Sequence, residues 1–111
     1  MTLLRQAACG LLAVAALAFG ASAASAKPAQ CFTSDDGHYD CNFKGTDSAG
    51  SFEASAKGYP TIWLNVESPG VAWITKDFGT GGTNLPGPYY RAEDDRACWD
   101  NPDTDDRLCV W

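Results

Sequence analysis

Histidine is almost missing from this chain: His38 is the only one in 111 residues. No two cysteines stand as C-x-x-C, so a zinc site has neither its usual sulfur pair nor its imidazoles. The signatures G-x-S-x-G and H-E-x-x-H are absent as well. A Ser–His–Asp arrangement would have to use His38, which falls between Cys31 and Cys41, where a solvated turn is the simpler reading. Acids are plentiful, but they cluster in loop-like stretches instead of standing as a pair that could be held across a cleft. The chain is therefore expected to be no enzyme and to carry no cofactor or metal.

Positive charge is also scarce. There are eight Lys and Arg against fourteen Asp and Glu. Half of the acids lie in one stretch: Glu93, Asp94, Asp95, Asp100, Asp103, Asp105 and Asp106. Phosphate backbones and anionic membranes require the opposite sign, so nucleic acid and membrane surfaces are excluded as natural partners. A cationic partner is favoured electrostatically.

Long apolar runs are confined to the beginning. Arg5 gives a positive start, residues 11–19 are apolar, and Ala21-Ser22-Ala23 and Ala24-Ser25-Ala26 offer two small-x-small cleavage patterns. This order reads as a secretory signal over residues 1–26, since the apolar core is too short for the ~30 Å of a bilayer. Cys9 precedes that core, so it is not placed as a lipoprotein cysteine. The remainder, residues 27–111, is read as one exported domain, periplasmic or secreted. Arg5 is the only basic residue that cleavage removes, which makes the domain still more acidic.

A domain this small is marginal without help. Help is present in Cys31, Cys41, Cys98 and Cys109, an even number in a short exported chain. Four cysteines allow three connectivities, and spacing favours Cys31–Cys41 with Cys98–Cys109. Asp35-Asp36-Gly37 reads as a three-residue hairpin loop, which would pair Ser34 with His38 and set Cys31 directly opposite Cys41.

Helical periodicity is absent from the domain. Alternating segments at 39–43, 52–56, 62–66 and 71–75, then 89–92, 96–99 and 107–111, read as strands. In the fourth, either Val71, Trp73 and Thr75 or Ala72 and Ile74 form the inner face. Ser68-Pro69-Gly70 supplies a tight turn, and residues 80–88 a long surface loop. The expected fold is all-β, a small antiparallel barrel or sandwich of six to eight strands stapled by two disulfides. Trp63, Trp73, Trp99 and Trp111 are assigned to its core. Tyr89 and Tyr90, which follow a Pro/Gly loop, suit packing and binding equally. Asp100, Asn101, Asp103 and Asp105 have alternate spacing that could surround calcium, but Pro102 interrupts them and no distal Glu follows. An acidic hairpin loop is the expectation there.

Several of these residues together resemble the bacterial periplasmic and membrane-bound inhibitors of c-type lysozyme. Tyr39-Asp40-Cys41 resembles the family's Tyr-x-Cys strand. Pro86-Gly87-Pro88-Tyr89-Tyr90 resembles its Ser-Gly-x-x-Tyr loop, with Gly87 and Tyr90 in register, and Ala97-Cys98-Trp99 resembles its Trp strand. Pro86 stands where the family has Ser, and Asp100-Asn101 where it has Lys-Gly. The resemblance implies a small β-barrel that plugs a lysozyme cleft with a loop, here residues 81–90. Gly87, Tyr89 and Tyr90 would make the contact, with Asp94, Asp95, Asp100 and Asp103 around it to steer a basic enzyme. The alternative is a structural or stress-related envelope protein without a cleft partner.

Overall fold

The computed structural model describes residues 26–111, so the expected export signal lies, apart from Ala26, outside the described residues. Nine strands follow in order: β1 (Lys27–Thr33), β2 (Gly37–Gly45), β3 (Phe52–Ser55), β4 (Thr61–Ser68), β5 (Val71–Asp77), β6 (Gly82–Asn84), β7 (Tyr89–Arg91), β8 (Cys98–Asn101) and β9 (Asp106–Val110). All pairings are antiparallel. The order β4-β3-β2-β1-β9-β8-β7-β5 closes through β4–β5 into an eight-stranded barrel, and β6 adds to β5 outside the ring. Closure removes the open edges that a sheet of this size would otherwise present. Of the two architectures expected, the barrel is the one formed.

Pleat alternation builds the interior. Cys31 and Thr33 on β1, Tyr39 and Cys41 on β2, Phe52 and Ala54 on β3, Ile62 and Leu64 on β4, and Ala72 and Ile74 on β5 all face inward. Tyr89, Trp99 and Leu108 complete the main cluster. Burying each large aliphatic side chain contributes about 1.5–3 kcal/mol. A smaller cluster of Ala92, Cys98 and Cys109 packs against Phe32. The tryptophans depart from expectation: Trp99 is buried, Trp63 half-buried, and Trp73 and Trp111 are exposed. On β5 the inner parity belongs to Ala72, Ile74 and Lys76, which turns Trp73 outward.

Both expected disulfides are present. Cys98 and Cys109 are direct cross-strand partners, with Cα atoms 4.0 Å apart. Cys31 and Cys41 are bonded at a Cα separation of 5.9 Å but are not opposite each other: Cys31 faces Tyr39, and Cys41 faces Ala29. Gly37, in the left-handed region at φ 75°, already pairs with Thr33, so the hairpin loop is Ser34-Asp35-Asp36. The Thr33 hydroxyl accepts from the Asp36 amide inside this loop. Disulfides persist in oxidising compartments, and two of them in a domain of this size belong to such a setting. Among the described residues no helix is long and apolar enough to cross a membrane.

Pro69-Gly70 joins β4 to β5 as a two-residue turn between the paired Ser68 and Val71, with Gly70 at φ 77°. The long segment at 80–88 is mostly loop, but it carries β6. The strand expected at 96–99 begins only at Cys98, because Asp95 holds a turn there, accepting from the Ala97 amide with its side chain and from the Cys98 amide with its carbonyl.

Candidate functional site

Antiparallel alternation brings the β1–β2, β3–β4, β5–β6 and β8–β9 turns to one end of the barrel. That mouth collects Asp35 and Asp36 from the β1–β2 turn, Asp77 and Phe78 from the β5–β6 turn, and Asp103, Thr104, Asp105 and Asp106 from the β8–β9 turn. Asp35, Lys76, Phe78, Leu85, Pro86, Tyr89, Thr104 and Asp106 line one cleft there. Their separation in sequence gave no local sign that they meet.

The 85–88 loop is clasped to this end. Asn101, 1% exposed, donates from Nδ2 to the Pro86 carbonyl at 2.7 Å and accepts from the Asp103 amide at 2.9 Å. Gly87 sits against this amide at φ 62°, with Asp103 on the same side. Only a residue that tolerates left-handed backbone takes that place without strain. Asp105 makes the corresponding left-handed step in the β8–β9 turn at φ 62°, where Asp is tolerated better than most side chains. Asn101, expected as part of an acidic solvated loop, is thus the buried link between two loops. Both ends of its amide are engaged, and among the described residues no group of three or more His, Cys, Asp and Glu side chains is disposed to hold a metal ion.

Tyr89 and Tyr90 divide cleanly. Tyr89 is 1% exposed and belongs to the core, so of the two roles open to it packing is the one its burial favours. Its pleat position points inward, and its hydroxyl donates to Asp106. Burial, then the neighbouring Asp106, push this phenol well above the ordinary tyrosine value. Tyr90 is 46% exposed and stands in register with Asp100 on the outer wall.

The four acids expected around the loop do not form one ring. Asp103 is beside Gly87 at the mouth. Asp100 and Asp94 both receive the Arg107 guanidinium, at 2.7 Å and 2.8 Å, so one cation offsets two carboxylates. Asp95 accepts from the Ala97 amide and from the indole of Trp111. Trp111 in turn stacks on exposed His38, which also meets Phe32.

Arg107 holds the Asp94 carboxyl below its ordinary value through a hydrogen bond, and the Ala97 amide and then Trp111 do the same for Asp95. A carboxyl depressed in the folded state contributes stability that is complete above its unfolded value, ~3.9, and is lost as pH falls through the folded value. Replacement of Arg107 by Gln is expected to raise the titration midpoint of Asp94 towards ~3.9, followed by carboxyl NMR. An unmoved midpoint would show that the guanidinium is not the cause.

No family model, no curated protein and no solved structure matches this chain.

Proposed function

We propose that this protein is an exported, non-catalytic binding module, working in the periplasm or the medium, that takes a cationic protein partner of the c-type lysozyme kind. The observation that supports this reading is the meeting of the acidic turns at one barrel end, beside a loop already fastened by Asn101. A loop so held loses little freedom on docking, and that favours affinity. Asp35, Asp36, Asp103 and Asp105 are exposed and would steer a basic protein towards it. Asp94 and Asp100 contribute less, because Arg107 offsets them. Tyr90 offers an exposed ring on the adjoining wall.

The experiment is a lysozyme activity assay with excess oxidised protein, paired with binding measured at ~0.01 M and ~0.15 M salt, where the Debye length falls from ~30 Å to ~8 Å. Association is expected to slow as salt rises. Asp103→Asn should lower the low-salt association rate, and Tyr90→Ala should cost about 1–3 kcal/mol of affinity as an interface anchor. Absence of both inhibition and binding with every c-type enzyme tried at low salt would end the proposal.

A further inference from the structure

Lys76 is the odd residue of the barrel interior. It follows Ala72 and Ile74 on the inward parity of β5 and is 4% exposed. Its stem lies in register with Ile62, and its Nζ reaches the mouth, where it meets one carboxylate oxygen of Asp35 at 3.4 Å. Asp35 is itself an exposed turn residue, so the pair is lopsided: a desolvated ammonium against a well-hydrated carboxylate. An ammonium has three N–H donors. That single long contact leaves the donor capacity of a buried cation poorly used, and buried charge is unfavourable unless well paired.

The cleft into which Lys76 opens measures about 270 Å³. That lies just below the ~300–1,000 Å³ of pockets for larger ligands. One wall is apolar, made by Phe78, Leu85 and Pro86. The other carries Asp35, Asp106 and the Tyr89 hydroxyl, which is already oriented by its bond to Asp106. A dianion such as phosphate would satisfy Lys76 but would face two carboxylates. A simple amine would satisfy the carboxylates but would face Lys76. A molecule with both charges close together, and an apolar tail, satisfies every wall.

We infer that the barrel mouth is a binding site for a free α-amino acid with an apolar side chain. Its carboxylate takes the unused donors of Lys76. Its ammonium donates to Asp35, to Asp106 and to a lone pair of the Tyr89 hydroxyl. Its side chain lies along Phe78, Leu85 and Pro86. This site shares Asp35, Leu85 and Pro86 with the mouth proposed for protein docking, but its occupation does not depend on a protein contact.

The test is an NMR titration of the oxidised protein with L-leucine up to about 10 mM, set beside isoamylamine, 4-methylvalerate and inorganic phosphate. Leucine is expected to move the amide signals of Asp35, Phe78, Leu85 and Thr104. The three probes, each carrying charge of one sign only, should bind at least about tenfold more weakly, since each leaves a charged group of the site unpaired. Lys76→Met should abolish the leucine response. Should that variant fail to fold, Asp35→Asn, at an exposed turn, should still weaken leucine several-fold while leaving the spectrum of the barrel in place. No leucine-dependent shifts in the unaltered protein would overturn the inference. So would equal binding of phosphate or 4-methylvalerate, or an undiminished leucine response in the folded variants.

Discussion

Replacing Cys31 and Cys41 together by alanine is expected to lower the stability of the domain by about 2.7 kcal/mol, the loop-closure entropy for a separation of 10 residues. Small domains hold only about 5–15 kcal/mol in total, so the loss is a large fraction. At about 4–8 °C per kcal/mol for a domain of this length, the melting temperature should fall by about 10–20 °C. Thermal unfolding under non-reducing conditions measures it. The bridge joins two core residues, yet alanine removes only a sulfur from each, so little cavity energy is added. Removing Cys98 and Cys109 should have a similar effect, because the enclosed loop is of nearly the same length. A fall of only a degree or two in either double variant would mean that the reduced chain keeps these hairpins closed without sulfur.

The second large effect is expected at Asn101. Changing it to alanine orphans the Pro86 carbonyl and the Asp103 amide together. Each unsatisfied buried polar group costs about 1–3 kcal/mol, so a loss of about 2–4 kcal/mol follows, the lower part of the combined range because the loops can part and admit water. Hydrogen exchange should accelerate in the 85–89 segment more than in β2 or β4. Asn101→Asp keeps the acceptor for Asp103 but sets a buried carboxylate oxygen against the Pro86 carbonyl, so at neutral pH it should cost at least as much as alanine. If alanine leaves both stability and exchange unchanged, the 85–88 loop is held by something other than this side chain.

Much of the barrel was legible because its cues are local. Gly70 lies in the turn it marks and Gly37 directly follows its own, and the alternation at 39–43, 52–56 and 62–66 matches inward-facing residues of β2, β3 and β4. The expected hairpin register differs from the observed one by one step on each strand. The two steps preserve pleat parity, which is why Cys31 and Cys41 still face the same side and still bond. The fifth strand was ambiguous, since both parities carry apolar residues. Lys76 on the inner parity even argues for the wrong face, and the outward turn of Trp73 follows from that. Tyr89 and Tyr90 illustrate the same limit, because adjacent rings on a strand must part to opposite sides.

The mouth was not legible at all. Asp35, Lys76 and Asp106 stand in three separate parts of the sequence and meet only because the sheet closes. Asn101 looked like one more polar loop residue, and nothing local distinguishes a solvated amide from one that ties two loops together. The order of strands around the ring supplies that distinction.

That order has a bearing on how the chain reaches its native state. The seam of the ring most distant in sequence is β1 with β9, where Thr33 lies beside Leu108 and Cys31 beside Val110. Most other neighbours are consecutive hairpins, which form within microseconds once their turns are made. The β1–β9 seam instead brings together the two ends of the domain, and it is the contact with the greatest closure entropy. During synthesis the first strand has no lasting partner on that side until the last five-residue strand has been made. Until β9 exists the ring cannot close, and the interior row of β1 has no neighbour on that side.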